Sequence, residues 1–117
     1  MGLLKQMDLS KQTDLSKQMD FSKLHTAAEK ASKLLKVLCN NNRLILLCQM
    51  TQGELSVSEL ETITSIQQPT LSQQLTVLRL EGLVNTRREG KQIFYSIASD
   101  DAFAVIQVLY QLYCPEQ

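Results

Sequence analysis

Apolar residues recur at spacings of three and four between Leu24 and Leu38, with Ala27, Ala28, Ala31, Leu34 and Leu35 between them, and Lys23, Glu29, Lys30, Lys33 and Lys36 fill the other face. That is the period of a helix with one apolar stripe, and it predicts a first helix over residues 21–38. CNNNR (39–43) interrupts the stripe, and Asn42 is a suitable N-cap for a second helix, Arg43–Met50, closed by Thr51, Gln52 and Gly53. A third helix starts at Ser56 or Ser58 and runs to about Thr64. SIQQP (65–69) reads as a turn, and Pro69 suits the first turn of a fourth helix that reaches about Glu81 and stops at Gly82. The period then changes from helical to alternating. Val84 and Thr86 alternate with polar partners, Ile93, Tyr95 and Ile97 alternate on the return, and Glu89-Gly90 supplies the turn of a β-hairpin. Ser99 caps a last helix, with Asp100 and Asp101 in the first turn where the helix dipole favours acids. Ala102, Val105, Ile106, Leu109, Leu112 and Tyr113 form its apolar stripe, and Pro115 ends it.

Two helices joined by a short turn and followed at once by a hairpin make a winged helix-turn-helix. The expected fold class is therefore mainly α with a small β-hairpin. With 117 residues the core is modest, and a core of that size is often completed by dimerisation. The stretch before the first helix is different. KQMDLS (5–10), KQTDLS (11–16) and KQMDFS (17–22) repeat with a period that fits neither helix nor strand, and Lys and Asp cancel in each copy. The expected organisation is a mobile low-complexity arm, 1–22, ahead of a DNA-binding and dimerisation domain, 23–117.

The formal net charge is zero, so nucleic-acid binding needs locally clustered charge. The fourth helix and the hairpin supply the candidates. Leu71, Leu75 and Leu78 share the core face of the helix. The outer positions hold uncharged hydrogen-bonding groups: Thr70, Ser72, Gln73 and Thr76, with Gln68 and Gln74 beside them. Glutamine can bond adenine bidentately, and Ser or Thr can serve several bases, so such a face suits the major groove. A merely solvated polar face has the same composition. The basic tip of the hairpin, Arg87, Arg88 and Lys91 with Glu89 as the opposing charge, favours phosphate contact. Arg79 either reaches a phosphate or pairs with Glu81.

Enzyme chemistry is not expected. The chain has no Gly-rich phosphate loop, no Ser-His-Asp or Cys-His constellation and no CxxC, and no cofactor is implied. It has no apolar run of the roughly 20 residues that a membrane span needs. The start MGLLKQMDLS has no apolar signal-peptide region, which predicts a cytoplasmic protein whose three cysteines, Cys39, Cys48 and Cys114, rest as thiols.

The runs LKVLCNNNRLILLCQM, ELSVSEL and TLSQQLTVLRLEGLVNTRREGKQIFYSI resemble the ArsR/SmtB family of dimeric winged-helix repressors over residues 24–115. The resemblance implies a homodimer on an inverted-repeat operator in double-stranded DNA. One departure is LCNNNR, where the family more often has Ser-His-Pro in place of Cys39, Asn40 and Asn41. Another is ELSVSEL. Metal-sensing members carry two cysteines in ELCVCDL on the third helix, where this chain has Ser56 and Ser58, and serine is a poor ligand for soft metals. The family's second metal site uses His and carboxylates on the last helix, which here has no histidine. The lone His25 lies on the first helix and reads as a surface or dimer-seam residue. No metal site is expected.

LILLCQM around Cys48 and LYCPEQ around Cys114 are similar to the branch of the family that senses reactive sulfur, the BigR and SqrR type. That branch implies a redox sensor in which Cys48 and Cys114 become joined through sulfur atoms by a persulfide inducer, the repressor then leaving DNA that controls sulfide and persulfide detoxification. Residue chemistry is consistent with that role. Cys48 follows Leu44 and Leu47 at helical spacing and should be partly buried, and Cys114, near the end of the last helix, should be accessible and react first. Three other readings stay open on sequence: a metalloid repressor using Cys39, Cys48 and Cys114, a general oxidant sensor, and a winged helix that only binds proteins. A buried free cysteine is also commonly just a small hydrophobe.

Overall fold

The computed structural model describes residues 20–114. Most of the expected arm, residues 1–19, and Pro115 lie outside the described residues. The elements run α1 (Phe21–Leu38), α2 (Asn41–Met50), β1 (Leu55–Ser56), α3 (Val57–Thr64), α4 (Thr70–Leu80), β2 (Val84–Glu89), β3 (Gln92–Ile97) and α5 (Asp100–Tyr113). The chain divides into two compact units, one through Lys33 and one from Leu34 onward. The described part of the first is helical with every side chain exposed, including the apolar Phe21 and Leu24, and the Phe21 and His25 rings lie 6.4 Å apart.

In the second unit the leucine-rich helices meet on one core. Leu46 and Leu47 of α2, Leu60 of α3, Leu71 and Leu78 of α4 and Ala102 of α5 are all 0% exposed, and Val37, Leu38 and Ile106 join them. Six or more large side chains fully removed from water, at roughly 1.5–3 kcal/mol each, are what hold α4 in place. Leu71, Leu75 and Leu78 are its inward face, as their spacing predicts.

Local chemistry sets the helix ends. Asn40, not Asn42, caps α2: its side-chain oxygen accepts from the Arg43 N–H at 3.0 Å, and the helix therefore starts two residues earlier than expected. Three consecutive asparagines have equal capping chemistry, so only the backbone path selects among them. Ser56 is the cap of α3. Its hydroxyl accepts from the Glu59 N–H at 3.1 Å, and the Glu59 carboxylate accepts from the Ser56 N–H at 2.9 Å, a closed capping box. Ser65 ends α3 in the left-handed region at φ 61°.

The hairpin pairs Val84 with Ile97 through to Glu89 with Gln92. Its two-residue loop is therefore Gly90-Lys91, one position later than Glu89-Gly90. Gly90 takes φ 63° at the first loop position, where a tight hairpin turn demands positive φ. A third strand was not expected. Leu55–Ser56 pairs antiparallel with Tyr95 and Phe94, giving the sheet order β1-β3-β2. Two residues carry no readable period, so this strand follows from tertiary pairing alone.

Candidate nucleic-acid interface and thiol site

The outer face of α4 presents Ser72, Gln73 and Thr76 to solvent, with Thr70 half-buried at the first turn. Two glutamines assigned to this face are otherwise engaged. The Gln68 side-chain oxygen accepts from the Ser72 N–H at 3.1 Å, so it caps the exposed start of α4. Gln74 is half-buried on the flank, and its Oε1 accepts from Arg43 Nη1 at 2.8 Å. Arginine has only donors, so the amide oxygen must be the atom facing it. That bond takes one of the two lone pairs of the oxygen that bidentate pairing with adenine would also use.

Arg43 was not singled out by sequence. Its Nε also donates to the Val37 carbonyl at 2.6 Å, so one guanidinium ties the end of α1, the start of α2 and the flank of α4. No carboxylate meets it among the described residues. Nothing in the local pattern signals this role, because both partners depend on the tertiary fold.

The wing is less uniformly basic than its sequence. Arg87 and Arg88 are adjacent on β2 and so point to opposite faces. Arg87 donates through Nε (3.2 Å) and Nη2 to the two oxygens of Glu54, through Nη1 to Glu89 at 3.3 Å, and stacks 4.6 Å over the Phe94 ring. Glu54 thus joins Glu89 as an opposing charge. The Arg87 hydrogen bonds hold the Glu54 carboxyl below the usual range, and raise the guanidinium in turn. Both groups are exposed, so this pairing orients Arg87 more than it stabilises the fold. Arg88 and Lys91 are exposed and form no ion pair among the described residues, and neither does Arg79, whose pairing with Glu81 is not formed.

The thiols divide in the same geometric way. All three cysteines are free. Cys48 on α2 is half-buried against the core and Cys114, the C-cap of α5, is exposed, with its N–H donating to the Tyr110 carbonyl at 2.8 Å. Both line a single groove of about 520 Å³ between α2 and α5, walled by Leu44, Ile45, Gln49, Ile106, Leu109, Tyr110 and Tyr113. Cys39 is exposed and lies outside it. Burial pushes the Cys48 thiol above its ordinary value, and the nearby Cys114 charge pushes it the same way. The two therefore resist being thiolates together, and the exposed Cys114 is the more accessible to reagents. Ser56 and Ser58, where the family resemblance would put metal-binding thiolates, do different work here. Ser56 is 3% exposed and committed to its cap, and Ser58 faces solvent. Among the described residues no three His, Cys, Asp or Glu side chains gather closely enough to hold a metal ion, and no helix is long and apolar enough to cross a membrane.

A polar-faced helix set by a turn behind a helix partner, with a twisted wing beside it, defines a winged helix-turn-helix protein of the DNA-binding kind. Residues 40–86 match the family described as bacterial regulatory protein, arsR family. The biofilm growth-associated repressor of Agrobacterium fabrum is 54% identical over 91 residues, which are 77% of this chain and 78% of that protein. The chain belongs to the arsR family of bacterial transcriptional regulators. Among solved structures, the transcriptional repressor BigR from Xylella fastidiosa superposes with a TM-score of 0.77 at 44% identity, covering 84% of this chain and all 100% of that one. Reduced HlyU from Vibrio cholerae gives 0.76 at 42% identity, covering 80% of this chain and 98% of that one. These relatives are regulators of transcription.

Proposed function

We propose that this protein is a homodimeric repressor whose hold on an inverted-repeat operator is released when a persulfide joins Cys48 to Cys114. The observation that carries the reading is that these two thiols, far apart in sequence, line one groove between α2 and α5. The names of its relatives support the repressor half: a biofilm growth-associated repressor and a repressor called BigR. Another relative was solved in a form called reduced, which fits a regulator with a redox state.

Thr70, Ser72, Gln73 and Thr76 are the residues for the major groove, and Arg88 and Lys91, with Arg87 oriented by Glu54, are those for phosphates. The expected organisation, arm 1–22 and domain 23–117, belongs to the same reading. A second copy of the chain covers the apolar side chains left in water: Leu24 and Leu35 on α1, and Leu112 and Tyr113 on α5, which are 48%, 56%, 52% and 76% exposed.

The chemistry needs no outside oxidant, because the persulfide brings its own oxidised sulfur. The Cys114 thiolate attacks the outer sulfur of R–S–S–H, the S–S bond breaks, R–S⁻ leaves, and Cys114 becomes a persulfide. The Cys48 thiolate then attacks the Cys114 sulfur and expels HS⁻, leaving a disulfide. A second sulfur transferred before closure gives a trisulfide by the same expulsion. A plain disulfide needs Cα atoms roughly 4.4–6.8 Å apart, and each inserted sulfur adds about 2 Å of reach. A pair set slightly too wide would accept a sulfur chain and refuse peroxide.

Peptide mass mapping after treatment with a persulfide donor, and separately with peroxide, tests this. The expected product is a Cys48–Cys114 peptide pair carrying added sulfur with the persulfide and no link with peroxide. An equal plain disulfide under both reagents makes the protein a general oxidant sensor. No link under either rejects the switch.

A further inference from the structure

The groove that holds the thiols is far larger than the thiols need. A water molecule's share of liquid is about 30 Å³, and a bare hydrogen disulfide is only a few times that. The groove is about 520 Å³, within the range that takes a small organic molecule. Its walls are Leu44, Ile45, Ile106, Leu109 and the rings of Tyr110 and Tyr113, and among the described residues no Lys, Arg, His, Asp or Glu lines it. A second groove of about 310 Å³ that shares Cys48 with the first also has no charged side chain among the described residues, with Gln49, Gln52, Gln107 and Gln111 along it. A donor bearing carboxylates would have to give up hydration here with no cation to receive it. A donor with an apolar body would instead bury that body beside the thiol it modifies.

We propose that the groove selects hydropersulfides with an uncharged organic body, R–S–S–H with R an alkyl or aryl group, and seats R against Ile45 and Leu109 while the outer sulfur meets Cys114. This rests on the switch reading above and names its substrate class. In the step itself the Cys114 thiolate bonds the outer sulfur, the R–S–S bond breaks, and the electron pair and R leave together as R–S⁻, with the proton retained on the transferred sulfur.

The test is the rate of Cys114 persulfidation in the full-length reduced protein, followed by intact mass. The donors are butyl, hexyl and benzyl hydropersulfide generated in situ, glutathione persulfide, and disodium disulfide as a donor with no R group. Rates rise about two- to fourfold per added methylene from butyl to hexyl, fourfold being full burial, and saturate with donor concentration, and glutathione persulfide falls below butyl. Ile45→Glu, at a position already 42% exposed, removes the chain-length gain from butyl to hexyl. Ile45→Lys raises glutathione persulfide relative to hexyl. Equal rates for butyl and hexyl, or an Ile45→Glu protein that keeps the gain, overturn the proposal, as they would if a second copy of the chain filled the groove. Linkage of Cys48 to Cys114 by disodium disulfide without any effect of R leaves the switch standing and this inference refuted. Failure of every donor to join the two cysteines removes both.

Discussion

Cys48 and Cys114 have the same side chain and opposite surroundings, and the order of their chemistry follows from that. Cys114 is exposed at the end of a helix, whereas the Cys48 thiol is raised by burial and then by its neighbour's charge. Because the thiolate is the attacking form, closure by Cys48 is the pH-sensitive step. The alkylation rate of Cys48 in Cys114→Ser, where no persulfide proton competes, is expected to climb about tenfold per pH unit through the neutral range, and to keep climbing past the ordinary thiol value before levelling. A plateau below that value would contradict the raised thiol. Cys48→Ser should leave a persulfide on Cys114 that never closes, visible as a stable added sulfur in the intact mass. Ser56 makes a separate prediction. Ser56→Ala opens the capping box of α3 and should lower stability by about 1 kcal/mol in urea unfolding while linkage of the two cysteines proceeds unchanged.

At the scale of elements, α2 carries both the half-buried thiol and Arg43, and Arg43 holds α4 through Gln74. In the proposed switch, a link from α2 to α5 would act on the element that holds α4, the proposed DNA-reading helix. Hydrogen bonds from a charged group are worth roughly 1.5–3 kcal/mol. Arg43→Met should weaken operator binding by the reduced protein several-fold and shrink the ratio between reduced and linked affinities. Gln74→Leu should do the same, and the double variant should be no worse than either alone, since both break one contact. Additive losses would mean that Gln74 reads DNA itself. On the wing, Arg88→Ala and Lys91→Ala should each lower the salt slope of binding by about one, the signature of a lost phosphate contact. The order of the helices and the hairpin was legible in the sequence because each carries its own period, and α1 falls on the residues its stripe marks. What was not legible depends on distant partners. The strand at Leu55–Ser56 exists only because β3 lies beside it, and Arg87 is drawn to Glu54 across 33 residues. The two thiols were singled out by family resemblance, but no spacing in the chain shows that they line one groove.

For the molecule as a whole, a neutral chain meets DNA only through locally clustered charge, and the proposed switch has to pass from the thiols on α2 and α5 to α4. The coupling required is small. A tenfold loss of affinity is about 1.4 kcal/mol, less than the range given above for a single charged hydrogen bond. Two recognition helices held at a fixed spacing by a dimer amplify any shift of α4, because both half-sites must match at once. The apolar side chains in water on α1 and on α5 predict that sedimentation at micromolar concentration gives a dimer, and that Leu112→Glu with Tyr113→Glu yields monomers that lose operator binding far more than they lose fold. The most direct test of the central claim is operator affinity by fluorescence anisotropy, measured on reduced protein, on the same protein after a persulfide donor, and again after a thiol reductant. The account predicts at least tenfold weaker binding after the donor, full recovery with the reductant, and no change in Cys48→Ser or Cys114→Ser. Unchanged affinity in a protein whose Cys48–Cys114 link is confirmed by mass would contradict it.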